Sequence, residues 1–193
     1  MNRYLFGILI MLSSLSVSCS NSQNDMKDAV VAFRQKQIIL PEELVKVESR
    51  NISTVKPEKS DLQMIIYYDS LECSSCKVSH LKEMQYLYEL SDKLPMLEVY
   101  TIFSPRQQEY DQTMVDLMML NYPYPIYVDK VGSFQRNNHD LPKDKRFHSF
   151  LLDKTGHPVF VGNPTASDKL WDLFLKVLDN LQENDGVYID VLK

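Results

Sequence analysis

The chain has 193 residues, with 21 basic against 26 acidic side chains and a formal charge of −5. That mildly acidic balance, with no basic run, excludes nucleic acid as a partner. The length suits one domain with a sizeable core.

Residues 1–18 read as a signal peptide: Arg3 gives a positive start, Leu5 to Leu12 an apolar stretch, and Leu15-Ser16-Val17-Ser18 a run that leads into Cys19. The apolar stretch breaks at Ser13-Ser14, well short of the about 20 residues that a membrane-spanning helix needs. The run ending at Cys19 resembles a bacterial lipobox, although Ser16 stands where an aliphatic residue is usual. The resemblance implies that Cys19 is lipidated and that a lipid anchor ties the chain to a membrane of the cell envelope, facing the periplasm or the exterior. Ser20 to Asp25 is polar, as a solvated tether would be.

Residues 19–58 form that tether plus an N-terminal extension. Within it, Val30, Val31 and Phe33 have helical spacing over Met26–Lys36, Gln37 to Leu40 is a short apolar run, and Val45 to Val55 alternates loosely as an exposed strand. The main domain spans residues 59–183. Leu62 to Tyr68 is an apolar run interrupted only by Gln63, which predicts a strand covered on both faces. A helix is expected from the break at Asp69–Glu72 to about Leu90, with Val78, Leu81, Met84, Leu87 and Leu90 at intervals of three. Leu97 to Phe103 predicts a second buried strand, Tyr110 to Leu120 a second helix and Pro125 to Asp129 a third strand.

Phe147 to Leu152 and Val159 to Val161, joined by Asp153-Lys154-Thr155-Gly156, predict a hairpin. Thr165, with Asp168 three later, starts a last helix that buries Leu170, Trp171, Phe174, Leu178 and Leu181. Met114, Met118 and Met119 read as helix packing. Residues 184–193 are a tail, with a further short strand from Gly186 as one reading. Strands that alternate with helices imply parallel pairing, and the closing hairpin adds antiparallel strands at one side.

Cys73-Ser74-Ser75-Cys76 falls where the first buried strand gives way to a helix. A thiolate is the attacking species in disulfide exchange, and free cysteine, with a pKa of about 8.5, is little ionised at neutral pH. Unpaired N–H groups and the positive end of the helix dipole stabilise an anion at the first turn. Cys73 is therefore the expected nucleophile, partly exposed, and Cys76, one turn further in and more buried, the resolving thiol. A disulfide closing so short a loop serves redox chemistry better than stability.

Residues Ile65 to Lys77 resemble the active-site strand and helix start of TlpA-type bacterial thioredoxin-like proteins. Tyr124 to Asp129 with Gly132-Ser133-Phe134, and Phe150 to Val159, are similar to later strands and turns of the same family. The likeness runs from about residue 60 to 183. It implies an α/β, thioredoxin-like fold: a central mixed sheet flanked by helices, with an N-terminal extension. It also implies a thiol–disulfide oxidoreductase, more a reductant than an oxidant, that acts on protein or small-molecule thiols and disulfides without a cofactor.

Two departures stand out. Glu72 replaces the family's usual Trp before the first cysteine; a carboxylate there opposes thiolate formation, and it is also a candidate for proton transfer beside Asp69. Phe147 stands where a cis-proline usually faces the disulfide, so Phe147, with Tyr68 at the strand end, is a candidate for substrate contact. No metal is assigned. The alternative is a binding or sensing protein, with Cys73, Cys76 and His80 on one helical face and His139 or His148 completing a donor set.

Overall fold

The computed structural model describes residues 17–189; the expected signal peptide up to residue 16, and residues 190–193, lie outside the described residues. Helix α1 (Val17–Phe33) comes first. The helix expected from Met26 thus begins already at Val17, and the segment read as a solvated tether is helical. No described helix is long and apolar enough to cross a membrane.

Strands β1 (Leu44–Glu48) and β2 (Asn51–Val55) form an antiparallel hairpin. The sequence suggested one strand over 45–55, because the turn carries no glycine or proline; it is made instead by Ser49 in the left-handed region, at φ 55°. Strands β3 (Leu62–Tyr68), β4 (Leu97–Phe103) and β5 (Ile126–Val128) run parallel, with β3 and β4 bounded as the apolar runs predict. Between β3 and β4 lie α2 (Ser74–Ser79) and α3 (Gln85–Lys93), and between β4 and β5 lies α4 (Tyr110–Leu120). A short helix α5 (Ser133–Asn137), strands β6 (Ser149–Leu152) and β7 (Pro158–Val161), and helix α6 (Asp168–Glu183) complete the chain. The sheet order is β2-β1-β5-β4-β3-β6-β7, with β6 antiparallel to β3. Gly186 to Ile189 forms no strand; Asn180 in α6 bonds both the N–H and the C=O of Ile189.

Strand alternation divides the core between the two sheet faces. Met64, Ile66 and Tyr68 of β3 face Val78, Leu81, Leu117 and Phe174, so α2, α4 and α6 cover that side. Ile65 and Tyr67 face Phe33, Phe134 and Phe150, so α1 and α5 cover the other. Phe33 meets Phe150 edge-on, with ring centroids 5.0 Å apart. Asn138 ties the chain after α1 to this layer: its amide exchanges two hydrogen bonds with the Ile39 backbone, both 2.8 Å.

Four expectations need correction. The helix foreseen from Cys73 to Leu90 is α2, a 3-10 turn over Leu81–Met84, then α3. Apolar spacing of three is the 3-10 period rather than the α period, and that is where the helix tightens. The cap of α6 is Ser167, whose hydroxyl accepts from Leu170 N–H, while Thr165 lies in a 3-10 turn. Met119 is 77% exposed, unlike Met114 and Met118, which pack on the core. Phe147 does not start a strand: Lys145–Phe147 is a 3-10 turn and β6 begins at Ser149.

Candidate active site

The chain leaves β3 beside two different partners, parallel β4 and antiparallel β6. The ends of parallel strands at such a junction are where open α/β sheets place their sites. Asp69 makes the bend: its Oδ1 accepts from Leu71 N–H at 2.8 Å, an Asx turn that frees the backbone to reverse. Cys73 then caps α2 with extended backbone, and its Sγ accepts from Cys76 N–H at 3.3 Å.

Cys73 and Cys76 are joined as a disulfide, with Cα atoms 5.3 Å apart. Both cysteines are exposed, whereas the sequence suggested a more buried Cys76. The reason is helical geometry. Ser74 and Val78, four apart, occupy the inward face, and at about 100° per residue Cys76 turns to solvent. The Ser75 hydroxyl donates to Asp116 of α4 and so ties the cysteine-bearing turn to a long helix. Arg106 Nε donates to Ser70 C=O at 2.9 Å and pins the loop from the β4 side.

Glu72, beside Cys73, is not a lone carboxylate. Its Oε1 pairs with Lys77 Nζ at 3.0 Å, and its Oε2 accepts weakly from Asp69 N–H at 3.4 Å. The same ammonium stands 5.2 Å from the centre of the Tyr68 ring. Burial, with the Glu72 charge nearby, holds the Tyr68 phenol neutral well beyond its usual range. The negative charge that opposes a thiolate at Cys73 is therefore largely compensated within the same turn.

Beneath the loop lies a buried polar layer. Lys145 Nζ meets Asp69 Oδ1 at 3.0 Å, joining positions 76 residues apart. His148 is buried at the start of β6, with its ring 5.6 Å from that of Tyr67 and its Nε2 2.8 Å from Pro142 C=O.

The structure thus gathers Cys73, Cys76, Glu72 and Tyr68 at one end of β3. Phe147 helps to line a cavity of about 900 Å³ with Met26, Ala29 and Phe33 of α1, and the Arg146 guanidinium stands 5.9 Å from its ring centre. His80 is exposed and paired with Glu83, and His139 is exposed beside Asp140. Sequence reasoning missed Lys77 and Lys145. Lys77 sits at Cys76 + 1, where a pair with Glu72 across one turn was readable, but nothing local marks Lys145.

No family model and no curated protein sequence matches the chain. Solved structures do resemble it. An uncharacterized conserved protein from Geobacillus kaustophilus is 16% identical with a TM-score of 0.52, over 80% of this chain and 85% of that one. The fold has the thioredoxin-like arrangement that the sequence predicts, a central mixed sheet flanked by helices. A thioredoxin-like protein from Porphyromonas gingivalis (20% identity, TM-score 0.46, 75% of this chain and 92% of that) is also similar. So is a putative thiol:disulfide interchange protein DsbE from Chlorobium tepidum (16% identity, TM-score 0.48, 74% and 96%). In this fold the cysteine pair stands just beyond the C-terminal end of β3.

Proposed function

We propose that the protein is a thiol–disulfide oxidoreductase of the cell envelope, of TlpA type, tethered through a lipid on Cys19 and working in the reductive direction. The observation that carries the redox reading is an exposed Cys73–Cys76 disulfide with Cys73 at the N-cap of α2. In the reduced protein, the N–H of Cys76 and the positive end of α2 favour negative charge at Cys73.

The Cys73 thiolate attacks a substrate disulfide, forming a mixed disulfide and releasing one substrate thiolate. Cys76 then attacks the Cys73 sulfur. That restores the Cys73–Cys76 bond, expels the second substrate thiolate and passes on the Cys76 proton. The protein dithiol loses two electrons and the substrate disulfide gains them. Proteins and small molecules that carry accessible disulfides are the substrate class, and no cofactor takes part.

Insulin reduction with dithiothreitol as donor tests the reading. Turnover is expected from the wild type, and Cys76→Ser should accumulate a mixed disulfide at Cys73. No turnover, together with a reduced Cys73 that alkylates no faster than free cysteine at neutral pH, would instead support a thioredoxin-fold binding or sensing protein. The place of Phe147 in the lining of a cavity beside α1 is the observation that favours this second reading.

A further inference from the structure

We infer that Asp69, Glu72 and His148 form a binding site for a divalent transition-metal ion with the preferences of zinc, separate from the cysteine sulfurs. One oxygen of each carboxylate and one ring nitrogen of His148 lie within 4.8 Å of one another. The inference goes beyond the redox reading and does not rest on it.

Three charged or polar groups in proximity would not by themselves make a site. The deciding observation is the state of His148. The residue is 5% exposed, and its Nε2 lies 2.8 Å from Pro142 C=O. A carbonyl only accepts, so Nε2 carries the hydrogen, and the Nδ1 of the neutral ring is a bare lone pair. That Nδ1 is buried with no hydrogen-bond partner among the described residues. It faces Asp69 Oδ2 at 4.0 Å, too far for a hydrogen bond and, for two acceptors, of the wrong polarity. A buried acceptor left so costs about 1–3 kcal/mol. A cation between the lone pair and the carboxylates removes that cost. An imidazole whose other nitrogen donates to a backbone carbonyl is also how metal-bound histidines are commonly oriented.

The donor set fits the class. Imidazole nitrogen with carboxylate oxygens suits zinc and its neighbours, and three protein ligands leave a position for water. Bonds of about 2.0–2.2 Å put the ligands of a tetrahedral ion about 3.4 Å apart, so the donors must close by up to about 1.4 Å. Glu72, the least buried of the three, has the freedom to do so. Lys145 bonds Asp69 Oδ1 and Lys77 bonds Glu72 Oε1, which leaves Asp69 Oδ2 turned to the imidazole. The two ammonium groups hold the charge of the cluster near zero, so binding should be moderate.

Calorimetric titration of zinc chloride into the full chain, kept oxidised so that neither Cys73 nor Cys76 offers a thiolate, tests the inference. One ion per chain is expected. Affinity should fall at least about tenfold in His148→Ala and in Asp69→Asn, and remain unchanged in His139→Ala and His80→Ala. Asp69→Asn keeps an oxygen for the Leu71 N–H, so it guards against loss of binding through misfolding, and zinc should raise the melting temperature of the wild type but not of this variant. Absence of stoichiometric binding, or binding that survives both Asp69→Asn and His148→Ala, would overturn the site. Either result leaves the insulin assay free to succeed or fail by itself.

Discussion

Replacing Lys77 with Met removes the ammonium that stands 3.0 Å from Glu72 Oε1 while keeping most of the aliphatic stem. The Glu72 carboxylate, only 10% exposed, then faces the adjacent Cys73 without compensation. Because the Lys77 side chain is 39% exposed, solvent screens the pair, and its worth is about 0.5–1 kcal/mol rather than the larger value of a buried contact. Transferred to the thiolate–thiol equilibrium of Cys73, that is about a two- to fivefold smaller thiolate population at neutral pH. Glu72→Gln removes the opposing charge and should raise the population by a similar factor, and the double variant should return close to the parent. A Cys19→Ser, Cys76→Ser background leaves Cys73 as the sole thiol, and stopped-flow alkylation reads its reactivity directly. The differences should shrink in 1 M salt, where screening acts within about 3 Å. Unchanged or faster alkylation in Lys77→Met would refute the view that this turn neutralises its own carboxylate.

Three further outcomes follow from the packing. Phe33→Ala should cost about 3–5 kcal/mol in urea unfolding, because the ring is 2% exposed and stacked edge-on to Phe150; a cost below about 1 kcal/mol would mean that α1 does not dock. Asn138→Ala should cost about 0.5–1.5 kcal/mol by the same measurement, since it removes the two partly buried hydrogen bonds to the Ile39 backbone. Burial lifts the phenols of Tyr67 and Tyr122 to about 12, against 10.0 when unfolded. A folded-state value above the unfolded one means that their contribution to stability is intact below about pH 10 and is lost as pH rises toward about 12. The unfolding free energy should therefore fall across that window, and near-ultraviolet phenolate absorbance should still be rising at its upper end. A titration complete near pH 10 in the folded protein would contradict the burial of these rings.

The central strands were legible because burial on both faces removes any need for polar residues. Leu62–Tyr68 and Leu97–Phe103 could be bounded from hydropathy alone. The dithiol was legible for a related reason: Cys-x-x-Cys after such a strand has one natural place, the start of a helix. What could not be read is long-range or conformational. Nothing near Ser49 announces a left-handed turn. A spacing of three looks helical until the 3-10 turn at Leu81–Met84 is seen. Which face of α2 turns inward is a packing fact: it buries Ser74 and Val78 and so exposes Cys76. Lys145 reaches Asp69 across 76 positions and has no local signature at all.

The turn before β6 shows why a departure at one position changes its neighbours. Antiparallel pairing of Ile66 with Ser149 fixes His148 beside Tyr67, and Tyr67 N–H donates to His148 C=O at 2.9 Å. Whatever occupies residues 145–148 must therefore meet the loop that leaves β3. A proline at position 147 would carry no N–H, whereas here Phe147 N–H closes the 3-10 turn on Asp144 C=O at 3.0 Å. With the turn closed, Lys145 reaches Asp69, His148 is buried, and Phe147 lines the cavity beside α1. An imidazole and an ammonium are thereby held against the Asp69 carboxylate, in the loop that leads to the cysteines.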